Sequence, residues 1–304
     1  GLLRDTWGFE GTVVADYFGI GFLQDLHGVA GSRGEAAAAA LHAGVDVELP
    51  TVDAYGEHLL AELGAGRVDP SLVDAAARRV LLQKIGLGLL DEDWSPVPEA
   101  LGAGARDLDA VQSTVNLDSP ENRKLARELA EESVVLLSNN GTLPLRSPRR
   151  IAVVGPNAEN PMAFLGCYSF PAHVGSQFPD ISAGIELPTV GCSLAVEFPE
   201  SSIEYVPGCG IDDPDPSGIA AAVAAAQGAD VVIAVLGDRA GLFGRGTSGE
   251  GCDVESLVLP GVQQQLLDAL LETGTPVVTV LLTGRPYALG QAASRSAAVV
   301  QAFF

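Results

Sequence analysis

"TVVADYFGI" (residues 12–20) begins the stretch that decides the fold, and "RGEAAAAALHAGVDVEL" (residues 33–49) completes it. Residues 12–16 and 45–49 are short apolar runs typical of buried strands, whereas the alanine-rich run between them predicts a helix that ends at Gly44. A strand, a helix and a second strand in this order predict two parallel strands joined by a right-handed crossover. We therefore expect an α/β fold.

Two further helices are expected before the periodicity fades. One lies near residues 54–63, and the other begins at Pro70, with Asp69 as its N-cap, and ends at Gly86. The apolar spacing of the second helix predicts a buried stripe formed by Val73, Ala77, Val80 and Leu81. Residues 91–118 are rich in proline, glycine and acid, which predicts a linker.

A second domain is expected to follow, starting with a helix that Ser119 caps and that carries Leu125 and Leu129 on its apolar face. Continuous apolar runs then predict parallel strands covered on both faces, with helices between them. The predicted strands are 151–156, 230–238, 276–284 and the final run 297–304, and the predicted helices are 218–228 and 261–274. Residues 158–200 are expected to form a long loop. The uncovered final strand leads us to expect a domain truncated at its C-terminus.

Composition narrows the function classes. The chain has 39 acidic against 17 basic residues and a formal charge of −22, which disfavours a nucleic acid or an anionic membrane surface as partner. No apolar run approaches the roughly 18 residues of a membrane span. The cysteines lack the spacing of a metal site and allow three disulfide connectivities; they are Cys167, Cys192, Cys209 and Cys252. The compartment stays open between cytoplasm and secretion, with the cytoplasm preferred.

The ends of the first two strands carry the first candidate site residues. Asp16 could be a nucleophile, a helix cap or a solvated strand end, because the carboxyl ends of parallel barrel strands face the active site. Tyr17 could stack on a sugar or belong to the core. Glu48 ends the next strand, where it could bind a sugar hydroxyl or support the following loop.

The second candidate is the glycine-rich loop of residues 237–261, which follows a predicted strand. It lacks the GxxxxGK[ST] order and any lysine, which argues against phosphate binding. Its carboxylates are Asp238, Glu250, Asp253 and Glu255. Glycine on both sides of Glu250 lets the backbone turn sharply and project that side chain outwards, although acidic glycine loops are also common as solvated turns.

Several motifs, in this order along the chain, resemble glycoside hydrolase family 3. They are "WGFEGTVVADYFGI", "AGVDVELP", "LAEESVVLLSNNGTLPL", "IAVVGPNA", "GRGTSGEGCD", "LVLPGVQQQLL" and "VVTVLLTGRPYAL". The resemblance implies the C-terminal portion of a (β/α)8 TIM-like barrel in residues 1–90, the linker 91–118, and an α/β sandwich domain with a mostly parallel sheet in residues 119–304. Within the family the motifs are most similar to the β-xylosidase-like branch, with β-glucosidases close by.

The resemblance also implies a retaining, exo-acting β-glycosidase that uses no cofactor and no metal. Asp16 matches the nucleophile and Glu250 the acid/base, so Asp16 should be ionised and Glu250 protonated before the first step. Arg245 is therefore expected to point away from Glu250, towards Asp253 or Glu255. Asp253 is the alternative acid.

The expected partner is a small oligosaccharide or aryl glycoside, with no nucleic acid and no membrane, and a homo-oligomer stays open. The first residue is Gly1, and the earlier barrel strands with most sugar-binding residues are expected upstream, so the isolated piece should be inactive and poorly stable. Two other functions are weighed: a carbohydrate-binding relic without turnover, and a nucleotide-binding module, which the absence of a GxGxxG motif disfavours.

Overall fold

The computed structural model describes residues 1–97, 116, 118–178, 180 and 185–304. The chain divides into two compact units, Gly1–Asn116 and Leu117–Phe304, and each is described by itself. The predicted linker 91–118 falls mostly outside the described residues, so the domain boundaries of the sequence analysis stay a prediction. No helix in the described ranges has the length and apolar character needed to cross a membrane.

The first unit contains the predicted parallel strand pair. Val14 pairs with Val47, and Tyr17 with Leu49, in parallel register. In chain order the elements are β1 Val14–Tyr17, α1 Gly19–Asp25, α2 Arg33–Ala43, β2 Val47–Leu49, α3 Leu59–Gly64 and α4 Pro70–Gly86, with single π-helical turns at Leu2–Thr6 and Ala54–His58. The strand–helix–strand arrangement expected from residues 12–49 is therefore present, with α1 as an additional short helix before α2.

Local sequence explains the bounds of α2. The Ser32 hydroxyl accepts a hydrogen bond from the Glu35 backbone N–H at the start of the helix, and Gly44 ends it at a φ of 91°. Only glycine adopts that left-handed conformation without steric cost. Ala36 and Ala37 are fully buried, and their small side chains allow the helix to pack closely against its neighbours.

The buried stripe of α4 differs from the prediction. Ala76 is buried, and Leu72 and Val73 pack on the same core, but Ala77 and Leu81 are exposed. At about 100° per residue, position 77 lies about 100° and position 81 about 140° from Ala76 around the helix, which turns both away from the core. The prediction is thus confirmed for Val73 and wrong for Ala77 and Leu81, whereas Val80 is half-buried.

The second unit holds a six-stranded sheet. Its elements are α5 Pro120–Ser133, β3 Val135–Asn139, β4 Arg150–Val154, α6 Phe170–His173, α7 Val190–Glu197, β5 Ser202–Val206, α8 Ile219–Gly228, β6 Val231–Gly237, α9 Gln263–Leu271, β7 Val277–Leu282, α10 Gln291–Arg295 and β8 Ala298–Ala302, with 3-10 turns at Pro161–Phe164 and Gly175–Gln177. The strand order is β3-β8-β7-β6-β4-β5. Only the β3–β8 pair is antiparallel, so the predicted mostly parallel sheet is confirmed.

Apolar clusters cover both faces of this sheet. One contains Leu266, Leu267 and Leu270 of α9, and the other contains Ile151, Val153 and further inward residues of β4, β6, β7 and β8. All seven residues of β6 are buried, as the continuous apolar run predicted. Because β6 is an inner strand of this sheet, Asp238, the residue after it, begins the next loop in the middle of the sheet edge.

The sequence analysis missed two strands and three helices of this unit, namely β3, β5, α6, α7 and α10. Strands β3 and β5 lie at the two edges of the sheet. The residues of β3 are all exposed although three of its five residues are apolar, and β5 is only partly buried. Helices α6 and α7 and both 3-10 turns lie inside residues 158–200, so the expectation of a loop without secondary structure there was wrong. The predicted apolar face of α5 is present but exposed, since Leu125 is 57% and Leu129 61% accessible.

Candidate active site

Asp16 lies in β1 with its carboxylate exposed. Its Oδ1 accepts one hydrogen bond, 2.7 Å long, from the backbone N–H of Tyr17. Helix α1 has Phe18 as its N-cap and no side-chain cap, so Asp16 does not cap that helix. Among the described residues no cationic side chain pairs with Asp16, which leaves its carboxylate available to a ligand. The open groove beside it, about 450 Å³ in volume, is also lined by Gly19, Ile20 and Leu23.

Tyr17 is 59% exposed within its unit. Its ring meets the Phe18 ring edge to face, with 6.4 Å between centroids. Phe18 has a φ of 60°, a left-handed conformation that turns the chain from β1 directly into α1. Tyr17 therefore lies outside the apolar core of the first unit, and its stacking on a sugar stays a prediction.

Glu48 supports the loop that follows β2. Its two carboxylate oxygens accept hydrogen bonds from three consecutive backbone N–H groups, those of Asp53 at 3.0 Å and of Ala54 and Tyr55 at 2.8 Å. The Tyr55 hydroxyl in turn donates to the Val45 carbonyl at 2.7 Å. These hydrogen bonds agree with the alternative in which Glu48 supports the loop that follows it. The contact of Glu48 with a sugar stays a prediction.

Glu250 projects from the loop between β6 and α9. Gly249 has a φ of 134° and Gly251 a φ of 69°, so the backbone on both sides takes conformations that favour glycine. A Cβ on Gly249 would overlap the carbonyl oxygen of Gly241, which packs against it. The Glu250 carbonyl accepts a 2.8 Å hydrogen bond from the Phe243 N–H, and the side chain is exposed. The backbone at Gly249 and Gly251 thus turns sharply and leaves the Glu250 side chain exposed, as their positions in the sequence predicted.

The Tyr168 hydroxyl donates a hydrogen bond to Oε2 of Glu250. The Tyr168 ring meets the His173 ring edge to face at 5.4 Å. Sequence reasoning missed this partner, because Tyr168 stands 82 positions before Glu250, in the region expected to be a loop. Only its place in the aromatic stretch "LGCYSFP" could have drawn attention to it.

Arg245 forms no ion pair with Glu250 in the described part of the chain, as expected. Its predicted partners were wrong, because neither Asp253 nor Glu255 pairs with it either. Arg245 instead lines an open cavity of about 490 Å³ together with His173 and Phe243. Asp253, the alternative acid, lines a different cavity and is not a recorded partner of Tyr168.

Asp238, which the sequence analysis named only as one of four loop carboxylates, is fully buried at the base of the loop. Its Oδ1 accepts hydrogen bonds from the Thr247 hydroxyl at 2.7 Å and the Tyr287 hydroxyl at 2.5 Å. Its Oδ2 accepts from the Gly284 N–H at 3.1 Å. Burial, and then the adjacent Asp238 carboxylate, raise the pKa of Tyr287 well above its usual range, so this phenol stays a donor.

Within the described ranges no group of acidic, histidine or cysteine side chains is arranged to hold a metal ion. Asp16, Tyr17 and Glu48 belong to the first unit, and Glu250, Tyr168 and Asp238 to the second. Asp16 in the first unit and Glu250 in the second are both exposed, and both lie next to residues with left-handed backbone conformations, Phe18 for Asp16 and Gly249 and Gly251 for Glu250.

Family models match most of the chain. Residues 1–82 match the glycosyl hydrolase family 3 N terminal domain, and residues 134–304 match the family 3 C-terminal domain. The chain belongs to glycosyl hydrolase family 3. The (β/α)8 and sandwich assignment of the sequence analysis agrees with this membership and with the mostly parallel sheet.

Curated relatives and solved structures carry two activity names. The chain is 35% identical to a periplasmic β-glucosidase of Salmonella typhimurium over 100% of its own length and 39% of the relative. It is 32% identical to a β-xylosidase of Formosa agariphila, again over its full length and 40% of the relative. A solved β-glucosidase involved in saponin metabolism from intestinal bacteria superposes with a TM-score of 0.80 at 28% identity, over 99% of this chain and 43% of that one. The chain thus spans about two fifths of the length of these relatives.

Proposed function

We propose that the chain carries the catalytic carboxylates of a retaining, exo-acting β-glycosidase. The enzyme would release xylose, or glucose, from the non-reducing end of β-linked oligosaccharides or aryl glycosides. The observation that carries the proposal is the placement of two exposed carboxylates: Asp16 lines an open groove at the end of β1, and Glu250 projects from a loop between two glycines with left-handed φ and is held by Tyr168. The family membership and the names of the relatives support it.

The proposed reaction is a double displacement. Asp16 attacks the anomeric carbon, and Glu250 gives its proton to the departing glycosidic oxygen, which leaves a covalent glycosyl ester on Asp16. Glu250, now ionised, removes a proton from water as that water attacks the ester, and the sugar departs with its original anomeric configuration. The working enzyme then needs the two carboxyl groups about 5–5.5 Å apart.

Neighbouring residues have distinct roles in this proposal. Tyr168 holds the Glu250 carboxylate in one orientation through its hydroxyl. Tyr17 offers its exposed ring to the C–H face of the sugar, and Glu48 fixes the loop after β2 and contributes its remaining lone pairs to a sugar hydroxyl. No metal or cofactor takes part. Asp253 is kept as the alternative acid for the test below.

The domain assignment belongs to the same proposal. Residues 1–90 would be the end of a (β/α)8 barrel, and residues 119–304 an α/β sandwich that lends Glu250 to the barrel site. Activity would then require the barrel segment that precedes these residues. Xylose is preferred over glucose because the motifs around Asp16 and Glu250 are most similar to the β-xylosidase-like branch, and paired nitrophenyl xyloside and glucoside rates test that preference.

Trapping of the intermediate tests the proposal. A 2-deoxy-2-fluoro-β-xyloside or β-glucoside with a good leaving group should inactivate the full-length gene product, with one fluorosugar per polypeptide. Peptide mapping by mass spectrometry should place the label on Asp16, and Asp16→Asn should remain unlabelled. A label on another residue would overturn the assignment. Tight sugar binding without label or turnover would favour the binding relic.

A further inference from the structure

The buried carboxylate of Asp238 closes the loop that carries Glu250. The Thr247 hydroxyl donates to Asp238 and accepts a 2.9 Å hydrogen bond from the backbone N–H of Arg239. Thr247, three positions before Glu250, is thus linked through its hydroxyl to Asp238 and Arg239, where the loop leaves β6. We refer to Asp238, Thr247 and Tyr287 as the Asp238 clasp.

We propose that the Asp238 clasp positions the acid/base: Asp238 holds the two ends of the loop together and so fixes where the Glu250 carboxylate is presented. The inference rests on the proposed role of Glu250 and extends it to residues that touch no substrate. Asp238 is a positioning residue in this account, because its side chain is buried and its partners are all protein groups.

Backbone hydrogen bonds and close contacts connect the clasp to Glu250. The Gly241 N–H donates to the Ser248 carbonyl at 3.0 Å, and the Phe243 N–H donates to the Glu250 carbonyl at 2.8 Å. A Cβ on Gly249 would overlap the Gly241 carbonyl oxygen, and a Cβ on Gly241 would overlap the Gly246 backbone. Because the backbones of the two sides of the loop are in direct contact, a shift of Thr247 would also move the segment that ends in Glu250.

The other end of the clasp is equally fixed. Asp238 also accepts the Gly284 N–H and the Tyr287 hydroxyl from the segment after β7, and its own carbonyl accepts from the Asn157 amide at 3.1 Å. Gln263, fully buried in α9, both donates to and accepts from the Gly237 backbone at 2.8 Å. The carboxylate therefore sits on a rigid base formed by three different segments.

A carboxylate suits this place better than an amide. Its described neighbours all donate: two hydroxyls and one backbone N–H. An amide of the same shape has one oxygen and one NH₂ group, so at least one donor would face another donor. The adjacent Arg239 does not neutralise Asp238, because its guanidinium pairs with Asp212 at 2.8 Å on the surface.

Substitutions in the full-length gene product test the clasp. We compare Asp238→Asn and Thr247→Val with Thr247→Ser, which keeps the hydroxyl, and with Asp212→Asn, which removes the neighbouring surface ion pair. Circular dichroism and the thermal midpoint identify variants that fail to fold. The readout is kcat/KM for aryl glycosides with leaving groups from dinitrophenol to an unactivated phenol, together with the separate effects on kcat and KM.

Asp238→Asn and Thr247→Val should lower kcat/KM for the poorest leaving group by roughly 10- to 100-fold and for dinitrophenol by less than about 3-fold, because only poor leaving groups need a well-placed acid. The decrease should appear mainly in kcat. Thr247→Ser and Asp212→Asn should stay within about 3-fold of the parent for every leaving group. If Asp238→Asn does not fold, Thr247→Val against Thr247→Ser decides the question.

Two failures are distinguishable. If Glu250→Ala shows strong leaving-group dependence but Asp238→Asn and Thr247→Val lose the same factor with every leaving group, the clasp is merely structural and the positioning inference is overturned. If Glu250→Ala itself shows no leaving-group dependence, the acid/base assignment has failed and the inference falls with it.

Discussion

Asp46 holds the first unit together, and its removal should be among the most damaging single changes in that unit. Its carboxylate, whose side chain is 0% exposed, accepts from Arg4 at 2.7 Å, from Arg79 at 2.7 and 2.9 Å, and from the Val13 backbone N–H at 2.9 Å. The side chains of Arg4 and Arg79 are only 18% and 22% exposed. Asp46→Ala leaves two largely buried guanidinium groups without a counter-charge.

Breaking a buried ion pair by removing one partner costs about 3–5 kcal/mol, which is the loss of stability that we expect in Asp46→Ala. Hydrogen exchange followed by mass spectrometry on peptides of α4 and of residues 1–16 measures that loss locally in the full-length protein. The control is Asp25→Asn, because Asp25 is an exposed partner of Arg33, which keeps its second partner Asp53. The reasoning is refuted if Asp46→Ala exchanges no faster than Asp25→Asn.

The same carboxylate gives a pH dependence. Burial alone would raise the pKa of Asp46, but the hydrogen bonds from Arg79 and Val13 and the charges of Arg79 and Arg4 outweigh it and lower the pKa. A lowered pKa in the folded state contributes stability above the unfolded pKa of about 4, and that contribution is lost as the pH falls further towards the folded value. As the pH falls below about 4, the difference in the free energy of unfolding between the parent and Asp46→Ala should therefore become smaller.

Three further predictions concern the site. Gly249→Ala should lower kcat by about 10-fold or more, because a Cβ there meets the Gly241 backbone at a φ of 134°. Gly244 also has a left-handed φ, of 80°, but open space at its Cβ position, so Gly244→Ala keeps the backbone strain, lacks the overlap and should cost less; equal losses would contradict this. Glu48→Gln should speed hydrogen exchange of residues 50–58 by roughly 5- to 100-fold, since one of three backbone donors loses its acceptor, and unchanged exchange would argue against the loop-supporting role. Tyr168→Phe should reduce kcat by about 3- to 10-fold for poor leaving groups with little change in KM, and a change confined to KM would place Tyr168 in sugar binding instead.

The sequence predicted the fold where hydrophobic pattern and local capping act alone. The continuous apolar runs of β4, β6 and β7 predicted covered strands, and Asp69 and Ser119 were predicted N-caps whose side chains do cap their helices. The edge strand β5 was missed because an edge strand need not be a continuous apolar run, whereas β3 was missed although it begins with three apolar residues. In α4 the apolar pattern predicted Val73 correctly but could not reveal that Arg79, a charged residue, reaches the buried Asp46.

The candidate site was predicted less completely. Asp16 and Glu250 were proposed from motif resemblance and from glycines that the backbone does require. Tyr168 and the clasp could not be inferred, because their hydrogen bonds join residues 9 to 82 positions apart and depend on how loops after different strands meet. From the sequence alone, Asp238 could equally have been a solvated turn residue. Only its burial in the structure distinguishes it from one.

The most direct test of the central claim uses Glu250→Ala of the full-length gene product with an activated β-glycoside and azide. If Asp16 forms the glycosyl ester and Glu250 is the acid/base, azide should restore turnover and the product should be the β-glycosyl azide, identified by NMR. An α-glycosyl azide, or a parental kcat in Glu250→Ala without azide, would contradict the assignment of these two carboxylates, because hydrolysis of the ester needs Glu250 as base even when the leaving group is activated.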